Sequence, residues 1–200
     1  LLYELGDERL TAAADAYLRY FLANCVSPST GLFAWGEHVA YNLVEDRVIG
    51  RRHELQHFNP LWEELWKFDP VAVRRAIESI YAYHITDKRT MAYDRHANFW
   101  NGLPERDQAT ILGYAGYFTI AFEFLGRKTG DPKYDEWSRR LVLAFQAKSD
   151  DTGLYPDNWT DRMAREQPLV FPVRPEIAAA FYGNYRATKD KRWLDDANRY

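Results

Sequence analysis

The sequence predicts an all-α chain that is built from helical hairpins. Three segments carry apolar residues at helical spacing, and each is followed by a turn of one kind, threonine and glycine before an aromatic residue in its clearest copies. Those turns are Ser29–Trp35, Lys88–Asp94 and Asp151–Trp159, and their threonines recur after 60 and 62 residues. Hairpin repeats of this length with aromatic turns are typical of α/α toroids, in which inner and outer helices alternate. We therefore expect an α/α toroid (barrel), here a partial ring, rather than a generic helical solenoid.

The helix boundaries follow from capping residues. The dipeptides Asp69-Pro70 and Asp131-Pro132 each place a capping carboxylate before a proline at the first helical position. Gly126 and Gly130 are typical of helix ends. These signals and the apolar spacing predict helices over residues 7–24, 70–84 and 132–147. They also predict partner helices over 108–125 and from 174 to 183 or a little beyond.

The composition is that of a folded domain whose net charge does not favour nucleic acid or an anionic membrane. With 46% hydrophobic residues, a chain of 200 residues can bury one core. A net charge of −3 favours neither nucleic acid nor an anionic membrane as partner, and no apolar run is long enough to cross a bilayer. The only cysteine, Cys25, excludes an intramolecular disulfide. Because the chain begins at Leu1 and stops within a helical pattern, we expect residues 1–200 to be part of a single catalytic domain that is truncated at both ends.

Two histidines follow equivalent turns of the repeat. His38 lies in the loop after the first turn, and His96 lies in the loop after the second. The repeat places both loops at one end of neighbouring hairpins, so we expect their imidazoles to converge, and Glu54 can reach the same end. Two imidazoles and one carboxylate leave open coordination positions, as catalytic metals require. This ligand mixture suits manganese, cobalt, nickel or zinc, but not calcium, which prefers oxygen alone.

Arg95 directly precedes His96, and Glu54 lies 41 residues before this arginine. On these residues, the stretch 29–102 resembles the metal-dependent pectate lyases of polysaccharide lyase family 2. The resemblance implies an α/α barrel that cleaves polygalacturonate, or a related uronic-acid polymer, by β-elimination. It also implies a metal held by His38, Glu54 and His96, with Arg95 as the Brønsted base.

Two catalytic roles of Arg95 are compatible with the sequence. As a base it must act as a neutral guanidine, and because arginine holds its proton far above neutral pH, this role predicts an alkaline pH optimum. In the alternative, Arg95 stays charged and clamps a substrate carboxylate.

An acidic polysaccharide or oligogalacturonide would also need residues that hold the neighbouring sugars. Tyr41, Tyr93 and Trp100 are candidates to stack on sugar faces, and Arg47 is a candidate to pair with a neighbouring uronate. Core packing or a solvated surface position is an open alternative for each of these four side chains.

The stretch His53-Glu54-Leu55-Gln56-His57 offers a competing interpretation, because it spells the H-E-x-x-H pattern of zinc metalloproteases. That motif works only on a helix, which brings both histidines to one face. Pro60 would end such a helix within one turn. The two interpretations differ on His57, which a protease needs and a lyase does not.

Two further classes of protein remain compatible with the sequence. The same fold class hosts inverting glycoside hydrolases and sugar epimerases, and a hydrolase needs two facing carboxylates. Glu37, Asp46, Asp94 and Asp157 are available, but their spacing singles out no pair. The other class is a non-catalytic carbohydrate-binding protein. Metal dependence of an activity would distinguish the lyase from both.

Overall fold

The computed structural model describes residues 3–35, 38–55, 61–104, 112–148 and 175–199. This part of the chain is mainly helical, which confirms the predicted all-α class, whereas the closure of the helices into a toroid stays a prediction. The helices are α1 (Glu8–Asn24), α2 (Trp62–Phe68), α3 (Pro70–Ser79), a π-helical turn (Ile80–His84), α4 (Leu112–Thr129), α5 (Pro132–Gln146), α6 (Pro175–Thr188) and α7 (Lys191–Arg199). Among the described helices, none combines the length and the apolar character that a membrane span requires.

In the described part of the chain, six short strands form three antiparallel pairs. The strands are β1 (Val39–Asn42), β2 (Arg47–Gly50), β3 (Arg52–His53), β4 (Ile85–Asp87), β5 (Ala92–Tyr93) and β6 (Ala97–Asn98). β1 pairs with β2 and β4 pairs with β5, in each case as a local hairpin. β3 pairs with β6, so this pair joins two loops that are distant in sequence.

Most of the predicted helix ends are confirmed. The carboxylate of Asp69 accepts a hydrogen bond from the backbone N–H of Ala72 at 2.9 Å, and Asp131 caps α5 in the same way. Gly130, with φ of +69°, follows the end of α4. The predicted end at Gly126 is wrong, because this glycine lies inside α4. A β-carbon there would overlap the carboxylate of Asp135 in α5, so the glycine permits close helix packing.

The first two turns of the repeat have equivalent backbones. The hydroxyl of Thr30 accepts a hydrogen bond from the N–H two residues later at 3.2 Å, and the hydroxyl of Thr90 does the same at 3.3 Å. The next residue is left-handed in both turns, with φ of +80° at Gly31 and +59° at Met91. The third copy, Asp151–Trp159, lies outside the described residues. The described pair supports the structural equivalence that the sequence repeat predicts.

Helix α4 lies in the centre of the core and packs against α5 and α6. Its buried side chains include Tyr114, Phe118 and Phe122. Burial of aromatic rings of this size is the main favourable contribution to a core, at roughly 25 cal/mol per Å² of apolar surface. The central position of α4 also places Tyr114 next to the loops that carry the predicted ligands.

Candidate metal and active site

The strand pairing determines where the predicted ligands lie. Arg52 pairs with Asn98 and His53 pairs with Ala97, so the next opposed positions along the ladder are Glu54 and His96. His38 directly precedes β1, and its carbonyl oxygen accepts a hydrogen bond from the N–H of Arg51 at 3.2 Å. Each ligand candidate therefore lies at the end of a short strand, and the three strands end close together.

These three side chains form a compact group. One donor atom from each of His38, Glu54 and His96 lies within 4.8 Å of the others, although 58 residues of sequence separate the outer two. Nε2 of His96 is 3.2 Å from Oε2 of Glu54, and the rings of His38 and His96 meet edge to face at 5.0 Å. His96 and Glu54 are buried and His38 is partly exposed, so the group opens to solvent on one side.

Glu54 is suited to bind a cation. Burial alone would raise the pKa of its carboxyl group, but hydrogen bonds from His96 and Tyr114 and the nearby charge of Arg95 lower the pKa to about 2. The Tyr114 hydroxyl donates to Oε2 at 3.0 Å. No local sequence signal distinguishes this tyrosine, because only the packing of α4 brings it to the site. A carboxylate held in its ionised form next to two imidazoles is a fitting ligand set for a divalent transition metal.

Arg95 is half-buried beside this group, and its charge acts on Glu54. Its Nε atom is buried, and no described residue accepts a hydrogen bond from it. A buried N–H group without an acceptor costs roughly 1–3 kcal/mol of folding free energy. This donor is therefore available to an anionic ligand that enters the site.

The described part of the H-E-x-x-H stretch is not helical. His53 ends strand β3, and its Nδ1 atom is 2.7 Å from Nε2 of His84 in the core. The backbone of Glu54 and Leu55 also lies outside any helix, while Gln56 and His57 fall outside the described residues. A zincin needs both histidines of the motif on one helix. The described part of the motif, His53 to Leu55, is not helical, and this argues against the protease.

The four predicted sugar-binding residues occupy different environments. Tyr93 is buried and packs edge to face on Phe118, so its observed role is core packing. Arg47 is exposed on the β1–β2 hairpin, where it pairs with Glu45. The Tyr41 hydroxyl donates to the carboxylate of Asp46 on the same hairpin.

Trp100 is the aromatic candidate best placed for a sugar. Its ring is 44% exposed, and its indole N–H donates to the carbonyl oxygen of Gly50 at 3.0 Å. This bond fixes an exposed aromatic face beside the strand end that positions His38.

The carboxylates that a hydrolase would need are otherwise engaged. Asp94 is buried, and its carboxylate accepts a hydrogen bond from the N–H of His96 at 3.2 Å. Asp46, on the exposed hairpin, accepts hydrogen bonds from the hydroxyl of Tyr41 on the same hairpin and from that of Tyr20 in α1. Glu37 and Asp157 lie outside the described residues. The two candidates that the structure describes, Asp46 and Asp94, are thus each bonded to other groups.

Replacing Gly50 with alanine is expected to weaken metal binding. Gly50 has φ of +82°, and a β-carbon at this position would overlap the carbonyl oxygen of His38. The substitution must therefore displace the backbone of a ligand candidate. Changes of this kind around metal ligands typically reduce affinity by about 10- to 100-fold, which a calorimetric Mn²⁺ titration of the complete protein would measure.

Gly130→Ala is the matched control for that substitution. Gly130 also has a positive φ, but nothing lies within 4 Å of the position of its β-carbon. The Gly130→Ala substitution therefore introduces similar backbone strain away from the site. Equal Mn²⁺ affinity in the two variants would contradict the role assigned to Gly50.

The fold and the site together define a class of protein: an all-α chain in which two histidines and a glutamate converge beside an arginine. Comparison with known proteins narrows this class. A model of the periplasmic pectate lyase family matches residues 3–174, and the chain belongs to that family. The chain is also similar to a pectate disaccharide-lyase of Dickeya dadantii (strain 3937), with 25% identity over 204 aligned residues that cover 88% of this chain. The chain spans only 37% of the length of that relative.

Proposed function

We propose that this chain carries the metal and base residues of a metal-dependent lyase that cleaves polygalacturonate, or a related uronic-acid polymer, by β-elimination. The observation that supports the proposal most directly is the convergence of His38, Glu54 and His96 beside Arg95, whose Nε atom has no hydrogen-bond acceptor among the described residues. Family membership and the name of the Dickeya relative point to the same chemistry.

The three ligand candidates would hold a divalent transition metal such as Mn²⁺. A neutral imidazole pair and an ionised carboxylate supply two nitrogen donors and one oxygen donor, which suits such an ion better than Ca²⁺. When bound, the ion would act as a Lewis acid toward the carboxylate of a uronate unit, which makes the neighbouring C5 proton more acidic. Tyr114 holds the Glu54 carboxylate in position for this ligation.

Arg95 is our candidate for the group that removes the C5 proton. Among the described residues near the ligands, the other acid–base groups are engaged, since His53 and His84 bond to each other and Asp94 accepts from the backbone of His96. By contrast, no described residue accepts a hydrogen bond from the Nε atom of Arg95. A guanidine that loses its proton only at high pH makes an alkaline pH optimum the expected profile.

The proposed β-elimination consumes no reactant other than the polysaccharide. Arg95 takes the proton from C5, and the electron pair of that C–H bond forms the C4=C5 double bond. The C4–O4 bond then breaks, and O4 leaves with its electron pair and is protonated to a hydroxyl group. The products are a new unsaturated chain end and a shortened polysaccharide, with no water consumed.

The test uses the complete protein with polygalacturonate at alkaline pH. We expect the ultraviolet absorbance of the unsaturated product to increase in the presence of Mn²⁺ and to stop increasing when a chelator is added. New reducing ends without this absorbance would indicate a hydrolase instead. Absence of any product with Mn²⁺, Co²⁺, Ni²⁺ and Zn²⁺ would contradict the proposal.

One variant separates the lyase from the metalloprotease. His57→Ala removes the second histidine of the H-E-x-x-H stretch and leaves all three ligand candidates intact. We expect it to retain lyase turnover, whereas a protease would lose its metal. Loss of Mn²⁺ binding in this variant would contradict the assigned ligand set.

A further inference from the structure

His84 connects two segments of the chain that carry the site. This residue ends the π-helical turn after α3 and is fully buried. Its backbone carbonyl oxygen accepts a hydrogen bond from the N–H of Asp94 at 2.9 Å, and its Nδ1 atom lies 2.9 Å from the carbonyl oxygen of the same aspartate. Its Nε2 atom lies 2.7 Å from Nδ1 of His53.

The directions of these hydrogen bonds follow from the carbonyl group. A carbonyl oxygen can only accept, so Nδ1 of His84 carries the hydrogen. In the neutral ring, Nε2 of His84 is then an acceptor, and His53 must donate from its own Nδ1. Both rings are buried, and each ring nitrogen of His84 has one defined partner.

The two partners of His84 each adjoin a site residue. His53 directly precedes Glu54, and Asp94 directly precedes Arg95. The Asp94 carboxylate also accepts from the backbone N–H of His96. One buried imidazole thus spans the segment of the carboxylate ligand and the segment of the arginine–histidine pair.

We propose that His84 is a positioning residue that fixes the distance between Glu54 and the Arg95–His96 pair. The inference rests on the proposed function, because it concerns the same metal site. The β3–β6 pair contains only two opposed residues on each strand, so it is too short to hold both segments rigidly by itself. The π-helical turn follows α3 and places the His84 ring between the two segments. Single π turns within helices are frequent at functional sites.

Core packing alone is the competing explanation. The ring of His84 also packs on Phe118, with centroids 5.2 Å apart, so a buried aromatic residue could be required for stability only. His84→Phe keeps an aromatic ring against Phe118 but removes both side-chain bonds. His84→Gln offers one donor and one acceptor on a planar group, as the neutral imidazole does.

The experiment compares these variants in the complete protein by titration with Co²⁺, followed through the visible absorption of the bound ion. We expect His84→Phe to bind Co²⁺ about 10- to 100-fold more weakly, with an altered spectrum, and His84→Gln to recover most of the affinity. Asn184→Leu is the control for lost stability, since it removes buried bonds to Glu123 and Ser138 that are remote from these segments.

The outcomes separate the inference from the proposed function. A Co²⁺ affinity of His84→Phe equal to that of the wild type would overturn the positioning role. An equal loss of Co²⁺ affinity in Asn184→Leu, at the same decrease in melting temperature, would also overturn it. A wild-type protein that binds no Co²⁺ would instead overturn the metal centre itself, and with it the role of His84. A loss that is confined to His84→Phe and restored in His84→Gln would establish the inference.

Discussion

Arg95→Ala is expected to lower kcat for polygalacturonate cleavage by about 10²- to 10⁴-fold, the range that a positioned general base usually contributes. Metal binding should change little, because the proposed ligand atoms belong to His38, Glu54 and His96. The substitution also removes a positive charge that acts on Glu54. The measurements are the ultraviolet assay at saturating Mn²⁺ and a calorimetric titration of Mn²⁺ into the same variant.

Arg95→Lys distinguishes a base from a clamp. A lysine amine loses its proton at lower pH than a guanidinium, so a base role predicts partial turnover with a pH optimum that moves downward. A clamp role predicts a raised KM with an unchanged pH profile, because lysine keeps the charge but not the planar fork.

Arg89→Ala is the control for the loss of an arginine charge. This exposed residue lies in the β4–β5 turn and pairs with Asp87. We expect the turnover of the Arg89→Ala variant to equal that of the wild type. Turnover of Arg95→Ala within tenfold of the wild type would contradict both roles of Arg95.

The sequence contained enough information to predict the helices and the identity of the clustered residues. Helix starts at Asp69-Pro70 and Asp131-Pro132 depend on local bonds, and local bonds can be recognised in a sequence. The histidines at 38 and 96 follow turns with equivalent backbones, so the repeat predicted that they would converge. Their binding of a metal remains a prediction.

Other features depend on tertiary packing and have no local signature. Tyr114 and His84 each contact residues that are remote in sequence, and nothing in their neighbourhoods distinguishes them from core residues. Tyr93 illustrates a related ambiguity, because an aromatic residue in a loop gives the same signal whether it packs in the core or faces a sugar. Gly126 was misjudged for a similar reason, since the contact with Asp135 that explains it lies on another helix.

The H-E-x-x-H stretch shows how a short motif can mislead. Its residues satisfy the pattern of a zincin, but a motif of two histidines has meaning only on a helix. Here the strand pair β3–β6 directs His53 into the core toward His84 and Glu54 toward His96. The same glutamate thus lies in the group with His38 and His96, and its backbone is not helical.

Glu123→Gln is expected to stabilise the fold at alkaline pH, by about 2–4 kcal/mol at pH 9. Glu123 is buried in α4, where its carboxyl group accepts hydrogen bonds from Ser138 at 3.1 Å and Asn184 at 3.3 Å. Burial raises the pKa from its ordinary value of 4.5 to about 8; the Ser138 bond, Arg186 and Arg127 oppose this rise, and Asp135 adds to it.

A raised pKa means that the folded state binds the proton more tightly than the unfolded chain. The contribution of Glu123 to stability is therefore complete below about pH 4.5 and is lost as the pH rises through 8. Glutamine keeps the acceptor oxygen but does not titrate, so the difference between variant and wild type should be small at pH 5 and large at pH 9. Urea unfolding of both proteins at the two pH values measures it.

Glu78→Gln is the matched control, because its carboxyl group responds to its environment in the opposite direction. Burial acts to raise its pKa, but hydrogen bonds from Tyr134, Arg74 and Lys133 lower it overall. Its removal should therefore give no gain in stability at pH 9. If Glu123→Gln gains no more stability between pH 5 and pH 9 than this control, Glu123 does not keep its proton in the folded protein. The outcome also bears on activity, since the alkaline conditions that a guanidine base requires are the conditions under which ionisation of Glu123 would weaken the packing of α4, α5 and α6.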